Sequence, residues 1–282
     1  MATQRETLVR SGGVILLAIV TLVAGVITVV THTQEKPQMI RFVPEGPSAG
    51  WGVTAADTSK THLYYESEDN GGSSAGIWEA RPFTREYENY SYAQFIYLLE
   101  GSLTLIDRND GRQDTFKAGD AVLIPRGAAF TWKQTETVRK YFVIFDRATP
   151  ASSTAAAGPT PTFVRVEENG PPGVGLIASP NGGPTKSHTY YRGADRSIVG
   201  AWATAPVTRQ YNDTKFAQLM VFLKGEVTFR MPDGSTVIVK AGDAVLAPRG
   251  MDYTWESQDV HKFYVVFDQA PATVEVPPSS GS

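Results

Sequence analysis

The chain has 282 residues, 41% of them apolar and 11% aromatic, enough for one large domain or two ordinary ones and too apolar for global disorder. A net charge of −3 and a pI near 5.9 leave no basic footprint for nucleic acid. With no cysteine, disulfides and thiolate zinc sites are excluded.

Taken in chain order, the first element is apolar. The run GVILLAIVTLVAGVITVV, residues 13–30, carries no charge, and its only polar side chains are two threonines. As a helix it would be about 27 Å long, close to the thickness of a bilayer's hydrocarbon core. The pattern predicts a single transmembrane helix over 13–31, preceded by a cytoplasmic segment, 1–12. A cleavable signal peptide is the alternative, but its apolar core is normally shorter, and VVTHTQEK offers no good small-residue cleavage site. Arg5 and Arg10 precede the run, whereas Glu35 and Lys36 balance one another after it. The positive-inside bias therefore puts the N-terminus in the cytoplasm and the rest of the chain outside. The expectation is a single-pass protein of a bacterial inner membrane, with the lipid bilayer as partner through 13–31 and the remainder periplasmic.

The rest is an internal repeat. KAGDAVLIPRGAAFTW (117–132) returns as KAGDAVLAPRGMDYTW (240–255), identical at 12 of 16 positions. GIWEARPFTREYENYSYAQFIYLLEG (76–101) matches GAWATAPVTRQYNDTKFAQLMVFLKG (200–225), RKYFVIFD (139–146) matches HKFYVVFD (261–268), and HLYY (62–65) matches HTYY (188–191). The repeats are expected over 39–146 and 163–268. An Ala/Pro/Ser-rich linker, 147–162, would separate them, and a flexible tail, 269–282, would follow. Within each repeat, short β-branched and aromatic runs are punctuated by turn signals such as Asn-Asp-Gly and Pro-Asp-Gly. The expected fold is all-β, a duplicated antiparallel barrel or jelly roll.

One strand per repeat is apolar on both faces. In QFIYLLEG, Gln94, Ile96 and Leu98 point one way and Phe95, Tyr97 and Leu99 the other; QLMVFLKG follows the same pattern. A strand with one wet face should alternate polar and apolar residues. The second face needs a cover, supplied by the other repeat or by another chain, as a homo-oligomer or a membrane-complex partner.

The recurring G-D-x-x-x-(I/A)-P-x-G followed by T-W resembles the cupin family, and the chain is similar to bicupins of the ethanolamine-utilisation and ureidoglycine-aminohydrolase type. The resemblance covers most of both repeats and implies two tandem cupin (jelly-roll β-barrel) domains behind the transmembrane α-helix. It also implies a divalent metal held by histidines and a glutamate. Carried onto this sequence, those ligand positions fall on Glu88, Tyr90, Gln94 and Phe130 in repeat one and on Asn212, Thr214, Gln218 and Tyr253 in repeat two. None is histidine, so no metal and no other cofactor is expected. His62 and His188 recur as equivalents and are read as packing or hydrogen-bonding positions.

No phosphate loop or nucleophile elbow occurs, and no catalytic residue is assigned. Arg85 and Arg209 recur beside Tyr87 and Tyr211 and could hold an anion at a barrel mouth. Arg126 and Arg249 recur in the P-R-G turns and are read as exposed or paired with Asp120 and Asp243. The candidate interior, either a filled core or the wall of a small-ligand site, comprises Glu88, Tyr90, Gln94, Phe130 and Trp132, with Asn212, Thr214, Gln218, Tyr253 and Trp255 in repeat two. The smaller Asn212 and Thr214 are expected to leave more room in the second barrel. The leading expectation is a membrane-anchored, metal-free bicupin, a non-catalytic binding or scaffolding module and an accessory subunit of a membrane complex. Alternatives are a ureidoglycine-aminohydrolase-like or sugar-modifying enzyme, or a periplasmic small-molecule sensor or carrier.

Overall fold

The computed structural model describes residues 5–11, 14–23, 26–33, 37–54, 59–67, 72–147, 162–180 and 182–270. The chain divides into two compact units, Met1–Gln38 and Met39–Ser282. Most of the expected linker 147–162 and of the expected tail 269–282 lies outside the described residues.

The first unit corrects the helix expected over 13–31. Arg5–Ser11, Val14–Val23 and Val26–Thr33 form a three-stranded antiparallel sheet, pairing Arg5 with Val20 and Leu16 with Thr33. Among the described residues no helix is long and apolar enough to cross a membrane. The physical reason lies in residue type: 13 of the 20 residues 14–33 are Val, Ile or Thr, whose branched side chains favour strands.

The second unit is all-β and duplicated, as the repeat predicted. In each half a seven-stranded sheet faces a four-stranded one, and every strand pairing is antiparallel. The two-faced strands explain the arrangement. On Ala93–Glu100, Ile96 and Leu98 enter the first barrel's core, while Phe95 and Tyr97 enter a separate core between the halves. On Ala217–Lys224, Met220 and Phe222 enter the second barrel, while Leu219 and Val221 join that same inter-repeat core. Phe263 approaches Phe95 at 6.4 Å and Tyr97 at 6.3 Å between ring centroids. The sibling repeat thus covers the second apolar face.

The repeats also exchange a strand. Ile40–Phe42, at the start of repeat one, completes the second barrel's large sheet by pairing Phe42 with Ala244. Val164–Val166, at the start of repeat two, completes the first barrel's sheet by pairing Val166 with Ala121. Each exchanged strand carries an arginine onto the K-A-G-D turn of its host: Arg165 to Asp120 at 2.9 Å, Arg41 to Asp243 at 3.1 Å. Those aspartates also accept the backbone N–H of Lys117 and Lys240 at 2.9 Å, closing their own turns. Phe163 is fully buried in the first barrel, against Phe116.

Arg126 and Arg249 are consequently not paired with Asp120 and Asp243. They reach the aspartates that end the last strands instead, Asp146 at 3.8 Å and Asp268 at 3.3 Å. Each carboxylate also accepts a tyrosine hydroxyl from the other repeat, Tyr191 to Asp146 at 2.6 Å and Tyr65 to Asp268. A β-bulge between Leu63 and Tyr65, repeated between Thr189 and Tyr191, makes this possible. The extra residue re-aims the following side chain, so Tyr64 stacks on Phe42 at 4.4 Å while Tyr65 reaches Asp268.

Two outcomes follow from the exchange. Phe163→Ala and Phe42→Ala should each lower the chemical-denaturation midpoint, by about 3–5 kcal/mol in stability, the usual cost of emptying a buried phenylalanine site. Tyr65→Phe and Tyr191→Phe, which leave a buried carboxylate short of a donor, should each cost about 1–3 kcal/mol by the same measurement.

Candidate functional site

Strand Phe83–Tyr87 sets the inner wall of the first barrel. Its alternation turns Phe83, Arg85 and Tyr87 toward a cavity of about 280 Å³. Glu88 follows on the outside: its side chain is 74% exposed and pairs with Arg108 at 2.7 Å. Asn212 is likewise exposed and accepts a hydrogen bond from Gln210 at 3.2 Å. Both were expected inside a barrel. The period of two excludes them, because Tyr87 and Tyr211, one residue earlier, take the inward positions and stack on Phe130 at 4.9 Å and Tyr253 at 4.8 Å.

The remaining interior residues of repeat one converge. Tyr90 and Gln94 are buried and bonded to one another, the phenol donating to Gln94 Oε1 at 2.8 Å. Burial pushes the Tyr90 hydroxyl well above its ordinary pKa, keeping it protonated as a donor. Phe130 is 0% exposed, and Tyr90 packs edge-on against it at 5.2 Å. Trp132 donates its indole N–H to Gln134 at 2.9 Å, and Gln134 is held in turn by the carbonyls of Ala80 and Arg81. In repeat two, Thr214 is buried but occupied by its turn, accepting from Met251 N at 3.1 Å and donating to Pro248 O at 3.3 Å. Gln218 is half-buried, and Tyr253 and Trp255 are core residues. Among the described residues the interior positions of repeat one line a cavity of about 280 Å³, whereas repeat two carries a larger space of about 420 Å³ along its small sheet, lined by Val207, Thr208, Thr228, Glu256 and Ser257 and by none of the expected interior residues.

The residue that sequence reasoning passed over is Lys140. On Val138–Phe145, Val138 packs into the first barrel's core and Lys140, Phe142 and Ile144 line its cavity, while Tyr141, Val143 and Phe145 face the sibling repeat. Lys140 is only 4% exposed, and its ammonium lies over Trp132 at 4.3 Å and Trp78 at 4.7 Å. Among the described residues no carboxylate pairs with it, and burial alone brings its pKa down to about 7. Lys262 repeats the arrangement, over Trp255 at 4.5 Å and Trp202 at 4.9 Å, and burial, with Arg209 adding repulsion, brings it also to about 7. The recurring lysine of R-K-Y-F and H-K-F-Y, in phase with the inward apolar set, was the available signal.

The cavity's walls are cationic and aromatic. Arg85 and Lys140 line it together with Trp78, Phe83, Tyr87, Tyr90, Tyr92, Gln94 and Trp132, and no aspartate or glutamate does. Arg147 flanks it, donating to Ser74 at 3.4 Å and lying over Tyr92 at 5.4 Å. A cupin-type metal does not fit these residues. Glu88 is committed to Arg108 outside, Tyr90 and Gln94 satisfy one another, and Phe130 offers no donor. Among the described residues no group of three His, Asp or Glu converges.

The buried lysines give the stability a defined pH dependence. Each has a folded pKa near 7, below its ordinary 10.5, so between those values the unfolded chain binds more protons. Stability should therefore rise with pH across that window and fall again toward pH 7, by up to about 1.4 kcal/mol per pH unit for each lysine. Denaturant unfolding at pH 7 and pH 9 should show this rise in the native chain. It should be absent in the Lys140→Met/Lys262→Met double variant.

The EutQ-like cupin domain matches this chain twice, over residues 67–142 and 193–264. No curated protein matches it. Among solved structures it is similar to a DUF861-family protein of unknown function from Pseudomonas syringae pv. tomato, with 22% identity, a TM-score of 0.60, and coverage of 82% of this chain and 100% of that one. It is also similar to protein Ylba from E. coli, at 13% identity and a TM-score of 0.54 over 82% and 91% of the respective chains. A cupin 2 conserved barrel protein from Leptotrichia buccalis gives 12% identity and a TM-score of 0.52 over 83% and 98%. These likenesses concern the fold. Two domain matches in register, on two barrels with exchanged strands, make the chain a duplicated member of the EutQ-like cupin family.

Proposed function

We propose that this protein is a metal-independent bicupin that binds a small organic anion in its first barrel and works as a non-catalytic binding module. The observation that carries this reading is the cavity wall: Arg85 and Lys140 line it, Arg147 stands beside it, and the lining residues include no aspartate or glutamate. A cavity lined by cationic side chains and by no carboxylate favours an anion, and the aromatic residues supply apolar contact for its carbon skeleton. A carboxylate meeting a guanidinium in two parallel hydrogen bonds is the natural match for Arg85. The second barrel, with Thr214 tied into a turn, is read as the structural sibling that covers the first barrel's apolar face.

The membrane tether is part of the same proposal and rests on the uncharged run 13–30 and the arginines before it. Such a tether would hold the two barrels at the periplasmic face of an inner membrane, beside a membrane-complex partner.

Two measurements test the proposal. In a thermal-shift panel of small carboxylic acids, sugars and neutral amides, carboxylic acids should stabilise the protein, by about 2.7 kcal/mol at 100 times the dissociation constant. Arg85→Ala should abolish that shift; stabilisation by sugars alone, or by nothing, would overturn the anion reading. Liposome flotation should carry the full chain upward and leave a variant lacking residues 1–36 behind. Equal behaviour of the two would overturn the tether.

A further inference from the structure

We propose that Lys140 captures a small 2-oxo acid or aldehyde as an imine inside the first barrel. The inference rests on the anion-binding reading above and specifies its ligand: a carboxylate for the arginines and a carbonyl carbon for the lysine. Lys140 is the cavity's nucleophile. Its amine lines a space of about 280 Å³, it is flanked by two indole faces rather than by a carboxylate, and its stem is fixed in the middle of a central strand. A lysine paired with a carboxylate stays protonated and inert. Desolvation without such a partner brings the pKa to about 7, so that a large share of the amine is neutral near neutral pH. The charged and titratable groups facing it across the cavity are Arg85, Tyr87, Tyr90 and Tyr92, with Arg147 beyond Tyr92. All are cationic or neutral, so none restores the ammonium.

The chemistry balances without a co-reactant. The amine lone pair forms the C–N bond, the carbonyl π pair moves to oxygen, and that oxygen takes the proton released from nitrogen. In the resulting carbinolamine the nitrogen pair forms C=N as the C–O bond breaks, and the departing hydroxyl takes the remaining N–H proton and leaves as water, so amine plus carbonyl gives imine plus water. Nothing is oxidised or reduced. The buried Tyr90–Gln94 pair lines the same cavity.

The test uses the full chain with pyruvate and sodium cyanoborohydride at pH 7, read by peptide mass spectrometry. Lactate, an acid of the same size without a carbonyl, is the binding control. The expected result is a reduced pyruvyl adduct on Lys140, formed at least about tenfold faster than on exposed lysines such as Lys133, Lys186 and Lys240. Adduct formation at Lys140 no faster than at those lysines overturns the proposal. If lactate and pyruvate both give thermal shifts while Lys140 stays unmodified, imine capture fails and anion binding stands. If neither shifts the protein nor reacts, both fail. Lys140→Arg, checked for folding by its melting temperature, should lose the adduct. A Lys140→Arg chain that still forms the fast adduct elsewhere in the cavity would also overturn the assignment.

Discussion

The second apolar face of the long central strands is the constraint from which the rest of the fold follows. Ala93–Glu100 and Ala217–Lys224 bury one side in their own barrels and would leave Phe95, Tyr97, Leu219 and Val221 in water if the repeats stood apart. Fully burying side chains of this size is worth about 1.5–3 kcal/mol each, so separation is strongly unfavourable. The two repeats therefore share a third core that belongs to neither, and each acts as the other's missing layer.

Strand exchange and the tyrosine–aspartate–arginine clusters reinforce that joint. Each repeat lends its first strand to the other barrel and each cross-repeat tyrosine donates to the other's terminal aspartate, so the bonds come in symmetry-related pairs. Asp146 and Asp268 both hold φ at +47°, a conformation that costs energy for a residue with a side chain. The tyrosine and arginine converging on each one offset that cost. The symmetry ends inside the barrels. Tyr90 and Gln94 in one become Thr214 and Gln218 in the other, Thr214 closes a turn, and a cavity of useful size forms beside Lys140.

That cavity shows what replaces a metal centre when its ligand positions are filled by aromatic and amide side chains. Phe130 and Tyr87 close the region where donors would converge, and charge is provided by Lys140 on the opposite sheet and by Arg85, two residues before Tyr87 on the same strand. A desolvated lysine between two indoles carries a destabilising cost at neutral pH in both barrels.

Much of this was legible in the sequence, because it depends on local pattern. The duplication, the all-β architecture, the turns and the two apolar faces of QFIYLLEG and QLMVFLKG all follow from spacing and residue type. Glu88, Asn212, Arg126 and Arg249 were misplaced because their positions turn on which way a strand end points and which distant carboxylate lies nearest. The strands at 14–33 reflect β-branched content that a hydropathy run does not weigh. The residue pattern alone establishes two barrels, each with a second apolar face that needs a cover, since period-two patterning states which faces are apolar. Only the tertiary structure decided that each barrel borrows a strand from the other, that Asp146 and Asp268 receive the cross-repeat tyrosines, and that Lys140 sits desolvated in a cavity without a carboxylate. Those outcomes depend on contacts between residues far apart in the chain, where distance in space and exclusion of water set the chemistry.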